Sequence, residues 1–279
     1  MKPMILDMQD LSKRSLTKEE ENHIKWQHSY CNKFLPLGYE ITRINQREGE
    51  PYPNSFFIKE KGSNDNISIG SLVETEYGIK KEIHREMINS GLGDVQNKFK
   101  YSFDTYKTKE QYQVNAKTIA LAYVENYNHK DWFMIQGISG SGKSHLSTSV
   151  VYALASKGVR ARYVSWVKFK NTLLDEMKYN TSNERILDIE NQKVLYIDDF
   201  LKTGSLKEKP TRYELDVAHR IIENRNLKGL VTIISTEWDI QSLLSFNEAM
   251  AGRIMQNVNG YYYDFGRDVK RNYRIANQK

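Results

Sequence analysis

An apolar segment that runs directly into a glycine-rich loop is the feature that most constrains what this chain can fold into. The loop, Gly137-Ile138-Ser139-Gly140-Ser141-Gly142-Lys143-Ser144, matches the phosphate-binding pattern GxxxxGK[ST]. Its glycines let successive backbone N–H groups point inward at phosphate oxygens, and the helix that follows adds its partial positive charge. The sequence therefore predicts a nucleotide-phosphate site between a strand over 132–135 and a helix over 144–155.

Two side chains of this loop have specific predicted roles. Lys143 is expected to reach the β- and γ-phosphates, and the Ser144 hydroxyl is expected to ligate Mg²⁺. The predicted cofactors are therefore ATP and Mg²⁺. The residues predicted to bind them here are Gly137, Ser139, Gly140, Ser141, Gly142, Lys143, Ser144 and His145.

A second apolar segment, Val194 to Ile197, ends in two acids, Asp198 and Asp199. An ATPase with such a loop needs a carboxylate at the end of another buried strand to hold the Mg²⁺ shell. Asp198 is the predicted Mg²⁺-side carboxylate, acting through water. Asp199 is the candidate to orient and deprotonate the attacking water. An acidic turn after a strand, with no catalytic role, is the alternative interpretation of the pair.

The surrounding sequence alternates apolar strands with helical patterns. Apolar strands without polar alternation, each separated by a helix, indicate a parallel sheet covered on both faces, so the predicted fold class is α/β. Residues 114, 121, 124 and 127 are apolar at near-helical spacing and predict one more helix. The predicted strands are 132–135, 161–166, 194–197 and 230–234, and the predicted helices are 144–155, 167–179 and 213–224.

The N-terminal part is mixed and weakly patterned. Residues 15–20 indicate a capped helix start, and 80–89 a second helix. The stretch 36–70 is rich in turn residues and is flanked by β-like runs at 55–59 and 66–69. We therefore predict a small mixed N-terminal domain that binds a partner, a linker and an ATPase domain. Their predicted ranges are 1–90, 91–108 and 109–279.

Charge divides along the chain in the same way. The net charge is +6, but residues 1–95 sum to −2 and residues 96–279 to +8. The basic excess hints at an acidic partner such as nucleic acid for the C-terminal part. A single cysteine excludes an internal disulfide framework, and no run approaches the ~18 apolar residues that a membrane helix needs. We expect a soluble cytoplasmic protein with no membrane contact.

These motifs resemble the AAA+ ATPase module of the DnaC/DnaI-type replicative helicase loaders, with the IstB transposition helpers as close relatives. The resemblance covers roughly residues 91–275. It is carried by Phe103-Asp104-Thr105-Tyr106, by Lys143-Ser144-His145-Leu146 and by the strand Tyr163-Val164-Ser165-Trp166. The Asp198-Asp199 pair, in place of Asp-Glu, also fits this branch.

The resemblance implies further site residues. Ser235-Thr236-Glu237 stands where the family usually has a Thr-Ser-Asn-like sensor 1. Glu237 occupies the usual Asn position, and Thr236 is the alternative sensor of the γ-phosphate.

Two arginines complete the implied site. Arg253, in Ala249-Met250-Ala251-Gly252-Arg253-Ile254, is the candidate arginine finger, and Arg271 is preferred over Lys270 and Arg274 as the basic sensor 2. A finger acts on a neighbouring subunit's nucleotide, so activity would depend on self-association. A surface arginine and a solvated charge run remain the alternative interpretations.

Three other patterns leave alternatives open. Tyr163, Trp166, Lys168 and Lys170 interleave aromatic and basic residues in a way that suits single-stranded DNA, although such alternation is also typical of core and solvent faces. The loop 202–209 is another DNA candidate. His23, His28 and Cys31 could ligate zinc, but His23 and His28 would point about 140° apart on a helix.

The leading prediction is an ATP-dependent loader. It binds a hexameric replicative helicase through residues 1–90 and single-stranded DNA through the basic module, as the resemblance implies. A transposition helper ATPase and an ATP-sensing adaptor with little hydrolysis are the alternatives.

Overall fold

The computed structural model describes residues 5–7, 16–63, 70–90, 100–177, 182–204 and 208–276. The chain divides into two compact units. One unit comprises residues 1–82 with 155–159, and the other comprises 83–154 with 160–279. The predicted β-like run at 66–69 lies outside the described residues. The predicted domain ranges stay predictions.

The first unit contains a four-stranded antiparallel sheet in the order β1-β2-β3-β4. The pairing of β2 with β3 shifts register between Ile41 and Arg43, as a β-bulge does. One face of the sheet contributes Ile44, Phe56 and Ile58 to a small core that also contains Cys31. The strands are β1 (Ile5–Asp7), β2 (Tyr39–Asn45), β3 (Ser55–Glu60) and β4 (Ser71–Glu74).

Two helices belong to this part of the chain, α1 (Lys18–Cys31) and α2 (Glu76–Asn89). The predicted start of α1 is confirmed. Thr17 is its N-cap and exchanges hydrogen bonds with Glu20, which forms a capping box. Helix α2 begins four residues before its predicted start at Lys80.

The second unit contains a five-stranded sheet in the order β6-β7-β8-β5-β9, with every described pair parallel. Every residue of β5, β7 and β8 is buried, which explains their unbroken apolar character. The predicted α/β fold class is confirmed. The strands are β5 (Phe133–Gln136), β6 (Arg162–Ser165), β7 (Val194–Asp198), β8 (Val231–Thr236) and β9 (Tyr262–Asp264).

Helices surround this sheet, and the bounds predicted for 144–155 and 213–224 differ from the structure by three residues or fewer. The predicted helix over 167–179 ends earlier, at Met177, and a separate helix follows. The helices are α3 (Gln111–Glu125), α4 (Lys143–Ala155), α5 (Trp166–Met177), α6 (Ser182–Glu190), α7 (Arg212–Leu227), α8 (Ile240–Phe246), α9 (Glu248–Val258) and α10 (Tyr273–Ala276), with a 3₁₀ turn at Val269–Arg271.

Helix α3 exists as predicted, but its buried face differs from the apolar residues that predicted it. Val114 and Leu121 are 39% and 43% exposed. The buried positions are instead Gln113, Ala116, Ala120 and Tyr123. Small alanine side chains let the helix pack closely, so this face is buried although it is less apolar.

No helix in the described part of the chain is long and apolar enough to cross a membrane.

Candidate nucleotide-binding site

A cavity of about 370 Å³ lies within the second unit, where the carboxyl ends of β5 and β7 meet the glycine-rich loop. This is where parallel α/β sheets bind ligands, and the volume falls in the range of small-molecule sites. Its lining includes Ser139, Gly140, Ser141, Gly142, Lys143, Ser144, His145, Asp199, Lys202, Glu237, Tyr273 and Arg274.

The loop is shaped by glycines that no other residue could replace without strain. Gly140 has φ +74°, and a Cβ there would lie 2.1 Å from Asn272 Oδ1. Gly142 has φ +103°, and a Cβ there would lie 3.0 Å from the Tyr106 ring. The Gly140 carbonyl also accepts a hydrogen bond from the Tyr273 N–H at 3.0 Å. Backbone freedom and close approach therefore explain the predicted glycine positions.

Lys143 is almost fully buried, at 4% exposed. Its Nζ donates to the carbonyls of Gly137 and Ile138, each at 2.8 Å. Burial lowers the pKa of this ammonium, while Glu237 and Asp199 act in the opposite direction. The ammonium is thus held by the loop that is predicted to cradle the phosphates, in a position to exchange carbonyl oxygens for phosphate oxygens.

Asp198 lies at the end of β7 and is hydrogen-bonded by hydroxyl groups. Ser144 Oγ donates to its Oδ1 at 3.0 Å, and Tyr196 donates to the same oxygen at 2.8 Å. Tyr163 donates to Oδ2 at 3.2 Å, and Ser235 also donates to Oδ1. Burial and the neighbouring Asp199 raise the pKa of Asp198, and the hydroxyl groups oppose that rise.

These contacts fit a magnesium ion bound together with nucleotide. Mg²⁺ is usually held by one or two carboxylates plus substrate phosphates, and Ser144 and Asp198 supply a hydroxyl and a carboxylate within 3.0 Å of each other. Among the described residues no cluster of three His, Cys, Asp or Glu side chains could hold a metal ion alone. The phosphates would have to complete the coordination.

Asp199 follows in a tight turn with φ +55°. Its N–H donates to Ser235 Oγ at 3.1 Å, and its Oδ2 lies 2.9 Å from Lys202 Nζ. The same ammonium lies 3.1 Å from Glu237 Oε1. The candidate base is therefore part of an ion-pair group, Asp199-Lys202-Glu237, that lines the cavity.

His145 links the loop to the segment before α3. Its Nε2 lies 3.1 Å from Thr105 Oγ1 and 3.0 Å from the Ser102 carbonyl. Its ring meets Tyr101 and Tyr106 edge-on, with centroids 5.1 and 5.2 Å apart. Burial lowers the pKa of His145, so the ring is neutral near pH 7. These contacts hold the segment over one side of the cavity.

Thr236 and Arg253, which are among the predicted site residues, do not line this cavity. The Thr236 hydroxyl is buried, donates to the Phe200 carbonyl at 2.8 Å and accepts from the Trp238 N–H at 3.1 Å. It is therefore fully engaged in the fold, and Glu237 is the residue of this motif that lines the cavity. Arg253 lies on α9 and pairs with Glu223, with Nη2 to Oε1 at 3.1 Å.

The structure places two of the candidate C-terminal basic residues differently. Arg271 donates to the Phe265 carbonyl, and its guanidinium lies 4.9 Å from the centre of the Tyr112 ring. It does not line the cavity, whereas Arg274 does. Arg271 ends the 3₁₀ turn and Arg274 lies in α10, so the two side chains belong to different elements.

The aromatic residues suggested for DNA stacking belong to the core. Tyr163 is 3% exposed and bonds Asp198, and Trp166 is 1% exposed. Lys170 pairs with Glu214 at 2.6 Å. These residues present no stacking surface, so the alternation in this segment reflects core and solvent faces. Residues 205–207 of the other suggested DNA loop lie outside the described residues.

In the part of the chain that the structure describes, no group of three His, Cys, Asp or Glu side chains could hold a metal ion, so the structure does not support zinc at His23, His28 and Cys31. His23 lies 2.9 Å from the Gln27 amide nitrogen and stacks on Trp26. Cys31 is fully buried, which raises the pKa of its thiol to about 12.

Three residues that sequence reasoning missed complete the site. Tyr196 and Ser235 hold Asp198, and Lys202 holds Asp199. Lys202 follows Asp199 by three residues, a spacing that could have indicated an ion pair across a turn. No comparable signal marks Tyr196 or Ser235, because both lie within apolar strands.

Comparisons with known proteins give the family of the chain. The family described as the bacterial DnaA ATPase domain matches residues 97–256, which is more than half of the chain. The chain is 26% identical over 190 residues to the uncharacterized protein YqaM of Bacillus subtilis strain 168, a match that covers 65% of this chain and 59% of that protein.

Two further comparisons cover similar shares of the chain. The phage-like element PBSX protein XkdC of Bacillus subtilis strain 168 is 26% identical over 189 residues, covering 61% of this chain and 67% of that protein. The crystal structure of the DnaC helicase loader superposes with a TM-score of 0.50 at 19% identity, covering 60% of this chain and 97% of that one. The structural likeness shows the AAA+ fold.

The family match contains the phosphate-binding loop, the Asp198-Asp199 pair and Arg253. The chain therefore belongs to the family of the bacterial DnaA ATPase domain, a replication-related AAA+ module that binds ATP.

Proposed function

We propose that this chain is an ATP-dependent helicase loader. It binds a hexameric replicative helicase through residues 1–90 and delivers it to single-stranded DNA during replication initiation in the bacterial cytoplasm. The observation that supports the ATPase part is the contact between Ser144 and Asp198 beside the buried Lys143. The resemblance to DnaC/DnaI-type loaders supports the helicase and DNA partners.

The side chains at the cavity can support hydrolysis of ATP. A water oxygen attacks the γ-phosphorus, the bond from the γ-phosphorus to the β,γ-bridging oxygen breaks, and ADP and phosphate form. Asp199 accepts the proton of the attacking water, and Lys143 stabilises negative charge on the phosphates. Ser144 and Asp198 would hold magnesium, which would supply positive charge to offset the negative charge of the phosphates.

Arg253 supports a role for self-association. Its pairing with Glu223 on α7 leaves it outside the cavity of its own chain. A neighbouring copy would bring its own Arg253 to the nucleotide, as arginine fingers do. The rate of ATP hydrolysis per protein molecule should therefore rise with protein concentration.

A second candidate function is an ATP-sensing adaptor with little hydrolysis. The pairing of Asp199 with Lys202 at 2.9 Å favours it, because a carboxylate oxygen that already accepts from Lys202 is less available to contact the attacking water. Turnover with and without single-stranded DNA distinguishes this adaptor from an active loader.

The test uses the full chain and a Lys143→Ala variant. We expect the wild type to bind and hydrolyse ATP, to retain a replicative helicase in a pull-down and to increase its loading on single-stranded DNA. Lys143→Ala should lose nucleotide binding. Lys228→Ala, which alters a lysine that bonds Asn191 at 2.7 Å, is the control and should behave as the wild type. Full turnover in Lys143→Ala would refute the site. Retention of a transposase instead of a helicase would refute the loader.

A further inference from the structure

Lys202 is held at the cavity by two carboxylates on different elements. Its Nζ lies 2.9 Å from Asp199 Oδ2 and 3.1 Å from Glu237 Oε1. The three side chains are 30%, 27% and 11% exposed respectively. Burial lowers the pKa of Lys202, but the two carboxylates more than offset this, so the ammonium stays charged near neutral pH.

The backbone around Lys202 is fixed by contacts to the end of β8. The Phe200 N–H donates to the Ser235 carbonyl at 2.8 Å, and Trp238 Nε1 donates to the Leu201 carbonyl at 2.8 Å. The Lys202 carbonyl in turn accepts from Lys170 at 3.2 Å. These hydrogen bonds hold the turn that carries Lys202 in place. Ligand binding therefore does not have to offset the entropy cost of ordering this turn.

This ammonium lies where the terminal phosphate of ATP is expected. The phosphate-loop lysine reaches the β- and γ-phosphates, and the candidate base orients the water that attacks the γ-phosphorus. Lys202 contacts that base directly and lines the same cavity as Lys143. An ammonium has three donors, and the two carboxylates occupy two of them. The third remains for a ligand oxygen in the cavity.

We propose that Lys202 contacts the γ-phosphate of ATP. Lys202 is held in place by Glu237 and takes the role of the polar sensor side chain, which the Glu237 carboxylate itself cannot perform. Glu237 is an anion at the position where the resemblance places Asn, so alone it would repel a phosphate. Paired with Lys202 it instead holds a cation for that phosphate. The inference rests on the proposed binding of ATP and adds the residue that distinguishes ATP from ADP.

The γ-phosphate is an additional anion that competes with Asp199 for Lys202. ADP lacks this phosphate and leaves the pairing of Asp199 with Lys202 unchanged.

The test compares equilibrium affinities for a non-hydrolysable ATP analogue and for ADP, in the presence of Mg²⁺, for the full chain. Lys202→Met should weaken binding of the analogue by about 10- to 100-fold, the usual effect of losing a hydrogen bond to a charged group, and change ADP affinity by less than about twofold. Lys202→Arg should retain the preference for the analogue, because it keeps the charge and the reach.

Lys81→Met is the matched control. Lys81 lies outside the cavity, pairs with Glu50 at 2.6 Å and has a side chain that is 28% exposed, close to the 30% of Lys202. It should leave both affinities unchanged.

The outcomes separate this inference from the proposed function. Equal losses of analogue and ADP affinity in Lys202→Met would show that Lys202 only supports the turn and would overturn the inference, while ATP binding by the wild type stands. Unchanged analogue affinity would overturn it too. A wild type that binds neither nucleotide would overturn the proposed function and this inference together.

Discussion

Replacing Ser235 should selectively weaken Mg²⁺-dependent nucleotide binding, because Ser235 contacts both Asp198 and Asp199. Its hydroxyl donates to Asp198 and accepts the Asp199 N–H at 3.1 Å. One hydroxyl can do both, because it has one donor and two acceptor lone pairs. Ser235→Ala removes both contacts without changing the backbone of β8.

The structure sets the size of the effect. Losing a hydrogen bond to a charged group costs about 1.5–3 kcal/mol. Leaving the Asp199 N–H unpaired costs less than the about 1–3 kcal/mol of a fully buried donor, because its hydrogen bond is only partly buried. The two contacts belong to one network and do not add fully, so we expect a loss of about 3 kcal/mol in the free energy of unfolding. At about 2–4 °C per kcal/mol, Tm should fall by about 6–12 °C.

The variant should also change how nucleotide binding depends on pH. Burial and Asp199 raise the pKa of Asp198, and hydrogen bonds from Ser235, Tyr196 and Ser144 to its charged form oppose that rise. Without Ser235 the pKa rises further. Magnesium needs the ionised carboxylate, so Mg²⁺-dependent affinity falls as pH drops through this pKa. In Ser235→Ala the fall should begin at a higher pH than in the wild type.

The assays are thermal unfolding and Mg²⁺-dependent nucleotide binding over a pH series. Ser147→Ala is the control, because Ser147 is fully buried and its hydroxyl has no hydrogen-bond partner among the described residues. Ser147→Ala should leave the free energy of unfolding unchanged or raise it slightly. The reasoning fails if Ser235→Ala keeps the wild-type pH dependence, or if Ser147→Ala is destabilised as much.

Two further predictions concern the loop and the subunit contact. Gly140→Ala should weaken nucleotide binding by at least about tenfold, because its Cβ would meet Asn272 Oδ1 at 2.1 Å. The control is Gly158→Ala, which has the same φ of +74° but open space around the added Cβ, and therefore separates the clash from backbone strain. Equal nucleotide binding in both variants would contradict the argument. Arg253→Ala should keep nucleotide affinity but lose at least about tenfold in ATP turnover at high protein concentration. The control is Arg220→Ala, which breaks a comparable pair with Glu190 at 2.8 Å and should keep the wild-type turnover. Equal turnover in both variants would contradict a finger role for Arg253.

The sequence predicts the parts of this fold that depend on local pattern. The strands β5, β7 and β8 are apolar throughout because both faces of the sheet are covered, and the loop is marked by glycines that its conformation requires. The strand order β6-β7-β8-β5-β9 leaves no such local mark, and β9 has only three residues.

The directions of individual side chains depend instead on tertiary packing. Val114 and Leu121 are apolar but exposed, because α3 packs through the smaller Ala116 and Ala120. Thr236 points into the fold because two backbone groups bind its hydroxyl. In each case tertiary packing sets the direction of a side chain, which residue type and spacing do not determine.

Many of the lysine and arginine side chains in residues 96–279 are bound to other groups of the protein, so the net charge of this part says less about DNA binding than it first suggests. Lys143 is bound to carbonyl oxygens, Lys202 to Asp199 and Glu237, and Arg253 to Glu223. Arg225 is fully buried among backbone carbonyls, and Lys170 and Arg220 pair with Glu214 and Glu190. A cation that already has an anionic partner neutralises few DNA phosphates, because it must break that pair first. The net charge of +8 therefore overstates the positive surface available to DNA, and part of it is the charge that builds the nucleotide site.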